Sequence, residues 1–433
     1  MGSKRVLVTG LSSYWGGRLA EALEASEEIE TIIGVDSQDP TRELERTEFV
    51  RVGTQHSLLR RIVEAAEIDT VVDTRLIVDS VVASAGRTHE NNVIGTMNIL
   101  AACGGPDSSV RRLVFKSSAH YYGSSQDDPA FFTEDMERPH PPRTPLEKDI
   151  VEAEAAVVDF AEKNPEVSVS MLRFANVLGP DVLTSHRALF ELPAVPIILG
   201  FDPRYQFVHE DDVVAALAHV LHADLPGVFN VAADGVLALT EVIDLLGKRF
   251  APVLPPWGTG LAAAALRRLG VELSPEMLEQ LRFGRGLDNR RLKATGFVYR
   301  CTTREAVIAL GEHMRLAPIM RGAAEPYRYE REVEEFLRRS PHVRTHPRRR
   351  ERANGDATVL APAALAEEPD TSPAGAAAPV AGYDDLEAEE IAPLLDSLEP
   401  EGLTALRGHE RSRRARPEVL RAIDKALARG GGG

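Results

Sequence analysis

The chain has 433 residues, a formal net charge of −16, 43% hydrophobic residues and 27% charged residues. That length exceeds what one hydrophobic core ordinarily serves, so two or three units are expected. The acidic balance excludes general nucleic-acid binding, which needs a basic surface to neutralise phosphates, and no apolar run is long enough to cross a bilayer.

Met1 to Val8 passes almost directly into a strand pattern, which leaves no room for an apolar signal segment and predicts a cytoplasmic location. Cys103 and Cys301 lie far apart with no ligand spacing around them, so neither a disulfide nor a metal site is expected. Short apolar runs at Val6 to Val8, Thr31 to Val35, Thr70 to Val72, Arg112 to Phe115 and Val167 to Leu172 alternate with helical patterns. Arg18 to Leu23 and Val93 to Ala102 each place apolar residues on one helical face. Such alternation predicts an α/β fold, a doubly wound parallel sheet covered by helices, over residues 1–180.

A smaller substrate-side region is expected over residues 181–345, with a strand at Val228 to Val231 and helices at Thr240 to Arg249, near Leu261 to Leu269 and at Pro275 to Leu281. Residues 346–382 shift to Ala, Pro, Glu and Asp and predict a disordered linker, because such a segment buries too little apolar surface to offset chain entropy. The basic run Arg348 to Arg350 with Arg352 reads as a solvated part of it. Helical periodicity returns over residues 383–429, a small helical module expected to dock onto the main body, a second copy or a protein partner.

Candidate chemistry begins after the first strand, at Thr9-Gly10-Leu11-Ser12-Ser13-Tyr14-Trp15-Gly16-Gly17 and the helix that follows. In a dinucleotide-binding Rossmann turn, Gly10 makes the tight turn, Gly16 lets the helix pack against the sheet, and the helix N-terminus faces a pyrophosphate. Ser13 stands where a glycine normally lets the diphosphate approach. Asp36, at the end of the second strand, suits adenosine ribose hydroxyls and repels a 2′-phosphate, which favours NAD over NADP.

Further on come Asn92-Val93-Ile94-Gly95-Thr96-Met97-Asn98, Phe115-Lys116-Ser117-Ser118 through Tyr122-Gly123, Lys148 with Glu152, Arg173 to Pro180, Phe207 to Asp212, and Asn230. In this order they resemble the motifs of the extended short-chain dehydrogenase/reductases, in particular the NAD-dependent epimerase/dehydratase group that includes UDP-galactose 4-epimerase. The resemblance spans roughly residues 4 to 315. It implies a nucleotide-sugar-like ligand, a homodimer formed through the helices that follow Asn92 and Thr144, and a catalytic tyrosine, lysine and serine.

By that resemblance Ser118 is the serine and Lys148 the lysine, which also hydrogen-bonds the nicotinamide ribose. The tyrosine position, four residues before Lys148, is then Thr144, and an aliphatic hydroxyl has no ionisation near neutral pH with which to replace a phenolate. Asp73-Thr74-Arg75 replaces a small-residue stretch beside the cofactor, so Arg75 either binds phosphate or fills an abandoned site. Ala119 and His120 occupy the positions of the acidic pair used by the family's dehydratases. Two readings follow: a ligand-binding, regulatory or scaffold protein that has lost tyrosine-dependent oxidoreduction, favoured by these departures, or an active NAD-dependent epimerase or reductase with a rewired catalytic group. A form with no cofactor at all stays open.

Overall fold

The computed structural model describes residues 3–53, 55–79, 83–105, 108–253, 274–316 and 423. The chain divides into a unit of residues 1–346 and a unit of residues 347–433. Apart from residue 423, the expected linker and helical module fall outside the described residues, as does the helix expected near Leu261 to Leu269.

Six strands appear in chain order through the first half: β1 (Arg5–Thr9), β2 (Thr31–Asp36), β3 (Thr47–Arg51), β4 (Thr70–Asp73), β5 (Arg112–Ser118) and β6 (Ser168–Phe174). They join the later strand Gly227–Val231 in a seven-stranded sheet, with that strand at one edge, followed by β6, β5, β4, β1, β2 and β3. Every pairing in it is parallel. β1, β4 and β5 carry runs of buried Val, Leu and Phe because helices cover both faces of a parallel sheet.

On one face, α1 (Tyr14–Glu24) and the helix Glu210–Ala223 bring Leu19, Leu23, Leu217 and Val220 into one apolar cluster with Val6 and Val8. On the other, α2 (His56–Ala65), α4 (Gly95–Cys103) and α5 (Pro145–Lys163) bury Leu59, Ile99 and Ile150 against Leu7, Val71 and Phe115. Full burial of each such side chain stabilises the fold by about 1.5–3 kcal/mol. α4 continues from α3 (Ala85–His89) through a turn of π-helix at Glu90–Ile94.

The boundary expected at residue 180 does not separate folding units. The chain returns to the first sheet with Glu210–Ala223 and Gly227–Val231, because the edge beside β6 offers unpaired backbone groups and an apolar face to cover. Between these excursions lies a smaller layer of short strands and helices around Leu178, Phe190, Tyr205, Phe207 and Ile243. The helix expected at Thr240 to Arg249 is shorter, Leu239–Leu245, and Arg249 already begins the strand Arg249–Val253, which pairs with Ala194–Ile198.

Candidate functional site

The turn after β1 is built as its glycines require. Gly10 has φ of +82°, and a Cβ there would sit 2.6 Å from Arg75 Cγ, while one on Gly16 would sit 2.1 Å from the Gly10 carbonyl oxygen. Ser13 caps α1: its Oγ accepts from Gly16 N at 3.1 Å and donates to Gly10 O at 2.6 Å. The residue standing in place of a glycine thus satisfies the helix end with its own side chain. Asp36 braces the same turn, its Oδ2 accepting from Ser12 N at 3.0 Å and Ser12 Oγ at 2.5 Å, and its Oδ1 from Ser37 N at 2.7 Å.

Arg75 lies against Gly10 and is almost buried. Its Nε donates to Asp73 Oδ1 at 3.1 Å and its Nη2 to Asp73 Oδ2 at 3.0 Å, whereas among the described residues Nη1 reaches only Asn91 O, at 3.5 Å. Asp73, at the end of β4, also accepts from Thr9 Oγ1 at 2.8 Å. Ser13 and Arg75 line two neighbouring cavities. One, of about 600 Å³, includes Asp36, Gly53 and Asn91; the other, of about 410 Å³, includes Trp15, Lys116, Ser118, Asn176 and His186.

At the end of β5, Ser118 Oγ accepts from His120 N at 3.3 Å. Burial, reinforced by the positive charge of Arg285 and Arg138 and by His186, holds His120 well below the usual histidine range and therefore neutral. Lys116, one strand residue before Ser117, is 2% exposed. Its Nζ lies 5.5 Å from the ring centroid of Trp15 and 5.8 Å from that of Phe174. Burial lowers this ammonium to about 8, against an opposing pull from Asp73.

The structure corrects the position of Lys148. Its side chain is 66% exposed, 3.8 Å from Glu152, and lines a surface depression with His89, Arg143, Thr144 and Asp149 instead of the cleft that holds Ser118. Thr144 is the N-cap of α5, its Oγ accepting from Glu147 N at 3.2 Å, with Pro145 in the first turn. Neither joins Ser118.

Of Glu152 and Glu154, the one that α5 buries is Glu154. It accepts from Ser117 Oγ and pairs with Arg173, whose Nη2 lies 2.6 Å from Glu154 Oε2 and whose Nη1 donates to Tyr122 OH at 2.8 Å. Tyr122 OH donates in turn to Asn230 Oδ1 at 2.9 Å. Two residues along a helix turn the side chain by about 200°, so Glu152 and Glu154 occupy opposite faces. Placing the K-x-x-x-E spacing on Glu154 puts the lysine position at Ile150 and the tyrosine position at Leu146, both in the apolar cluster with Phe115.

Other landmarks are structural. His209 accepts from Asp211 N at 3.3 Å, and Asp212 accepts from Arg300 N at 3.0 Å. His186 and Gln280 entered the cleft unannounced by any motif, and Lys116 was passed over within the Phe115-Lys116-Ser117-Ser118 run. The available signal was a charged residue in the middle of the buried run Val114-Phe115-Lys116-Ser117.

The pattern of the NAD dependent epimerase/dehydratase family matches residues 6–232. An uncharacterized protein of Mycobacterium tuberculosis is 36% identical over 327 residues, covering 73% of this chain and 86% of that protein. Among solved structures, the UDP-glucose 4-epimerase of Thermotoga maritima with UDP-glucose aligns at TM-score 0.55 and 20% identity, covering 72% of this chain and 99% of that one. The UDP-glucuronic acid 4-epimerase of Bacillus cereus, in complex with UDP-glucuronic acid and NAD, aligns at TM-score 0.56 and 17% identity over the same shares of the two chains, 72% and 99%. The fold, the ordered motifs and these matches agree: the chain belongs to the NAD dependent epimerase/dehydratase family.

Proposed function

We propose that this family member binds a nucleotide and a nucleotide-sugar-like ligand but has lost tyrosine-dependent oxidoreduction, and acts as a ligand-binding, regulatory or scaffold protein. One observation carries the reading: α5 presents Leu146 and Ile150, both buried and apolar, at the spacing where a phenolate and its lysine would stand. Neither side chain has a proton to exchange. Replacement groups are weak, because burial holds His120 well below the usual histidine range, which makes it a poor base, and Tyr122 is held between Arg173 and Asn230 with its phenol pushed above its ordinary value by burial.

The residues present fit NAD in its adenosine half. Asp36 lies at the end of β2 in a cavity of about 600 Å³, and the Gly10 and Gly16 turn brings the α1 N-terminus to it. Arg75, between the two cavities, keeps Nη1 for a diphosphate oxygen, which favours phosphate binding over the filling of an abandoned site. NAD, when bound, would supply a hydride acceptor; the cleft that holds Ser118 would then lack the phenolate and the lysine four residues after it, Leu146 and Ile150 standing at those positions.

A homodimer is part of the proposal. Ile94, Met97 and Val158 are exposed on the outer faces of the π turn, α4 and α5, beside a groove of about 690 Å³ lined by Leu100, Ala156 and Phe160. Among the described residues no helix is long and apolar enough to cross a membrane; a cytoplasmic location and a docking role for residues 383–429 belong to the same proposal. Calorimetric titration with NAD and NADH tests it. Saturable binding that weakens in Asp36→Ala is expected, and no heat from either dinucleotide at millimolar concentration would reject the nucleotide.

A further inference from the structure

The cavity beside Ser118 contains polar groups that its own walls leave unanswered. Lys116 Nζ, in a side chain 2% exposed, has ring faces for neighbours and no hydrogen-bond acceptor among the described residues. Gln280, also 2% exposed, receives a hydrogen bond from Asn176 Nδ2 on its Oε1 at 3.0 Å, yet its Nε2 makes no well-formed hydrogen bond among the described residues. His186 Nε2 is buried too and makes no well-formed hydrogen bond among the described residues, its one polar neighbour being the side chain of Gln280. All three residues line the same cavity of about 410 Å³.

An ammonium and an amide nitrogen can only donate, and a neutral imidazole nitrogen donates or accepts according to its tautomer. The unmet demand is therefore for acceptor atoms. A buried ammonium without a counter-charge is expensive, and Asp73, the carboxylate whose charge acts on it, is already paired with Arg75 and Thr9. A leucine or methionine would fill the space between Trp15 and Phe174 without that cost, so Lys116 is explained by something that enters the cavity.

We propose that this cavity is a binding site for an anionic oxygen group, a phosphate or carboxylate carried by a small ligand, held by Lys116 with Gln280 and His186 meeting its further oxygens. The site deepens the ligand-binding reading and rests on it only in using the same cleft. Trp15 and Phe174 shield the ammonium from water, which strengthens its attraction for the anion.

The test uses the full chain with lysine labelled at Nζ, the Lys116 resonance being assigned by its loss in Lys116→Met. Inorganic phosphate and acetate are titrated in separately, with sodium chloride at matched ionic strength and glucose as a neutral control. The Lys116 signal is expected to shift saturably with one or both anions, and not with chloride or glucose. Gln280→Leu, which removes one hydrogen bond to a charged group, is expected to weaken that binding by about tenfold. A response to phosphate alone assigns a phosphate-bearing ligand, and a response to acetate alone a carboxylate-bearing one. No anion response beyond that of chloride, or an unchanged response in Gln280→Leu, overturns the corresponding role of Lys116 or Gln280. NADH titrated into the same samples reads the nucleotide separately, so the two proposals fail independently.

Discussion

The guanidinium of Arg75 donates to both carboxylate oxygens of Asp73, at 3.1 and 3.0 Å, while its side chain crosses the turn at Gly10. The pair stands where β4 ends and the two cavities meet. Removing one partner leaves the other charge buried and unanswered. Arg75→Met is therefore expected to lower stability by about 3–5 kcal/mol, and adding Asp73→Asn to recover part of that loss. Denaturant unfolding of the single and double variants measures the coupling; equal stability of wild type and Arg75→Met would show that the pair is not held as described.

The register of α5 has an equally direct test. Ile150 is fully buried against β5, so Ile150→Ala is expected to cost about 2–5 kcal/mol. Lys148→Ala, on the exposed face, is expected to stay within about 0.5 kcal/mol and to leave NADH affinity unchanged. A large loss of NADH affinity in Lys148→Ala, with the fold intact, would return that lysine to the cleft.

Acid should weaken the protein through its buried histidines. Burial lowers His186 from 6.5 to about 4 and lowers His120 in the same direction. The unfolded chain takes up these protons first, so stability is fully present above pH 6.5 and is lost as pH falls toward 4. Urea unfolding at stepped pH should show that slope, and it should flatten in His186→Phe, whose ring keeps the contacts with Tyr205 and Phe207. An unchanged slope would remove His186 from the account.

The anion site carries the opposite sign. Lys116 titrates at about 8, so phosphate or acetate binding is expected to decline as pH rises through that value and the ammonium loses its proton. Anion affinity that stays constant well above pH 8 would exclude this ammonium as the binding charge.

Much of this was legible in the sequence, for physical reasons that vary along the chain. β1, β2, β4, β5 and β6 announce themselves because a strand covered on both faces is a run of β-branched and apolar residues. β3 does not: Thr47-Glu48-Phe49-Val50-Arg51 is a partly exposed edge strand with no such run. The strand Gly227–Val231 was visible, but its place beside β6 depends on a pairing fifty-seven positions away, as in Gly227 with Ser170. Gly10, Gly16 and Asp36 were readable because turn geometry demands particular residue types. α5 misled because Glu152 and Glu154 both follow plausible anchors, and only packing decides which one is buried. Lys116 was overlooked inside a motif whose neighbouring serines drew the attention.

The claim that the fold is kept while its oxidoreduction is lost meets its most direct test in the absorbance of reduced nicotinamide. The full chain would be mixed with NAD and with UDP-glucose or UDP-glucuronic acid, at concentrations where calorimetry shows the dinucleotide bound. An epimerase returns its hydride to the sugar within each turnover, so the sugar products are read beside the absorbance: the account predicts a flat trace with bound NAD and no conversion of either UDP-sugar. A steady rise in reduced nicotinamide, or formation of an epimerised UDP-sugar, that disappears in Ser118→Ala would contradict it.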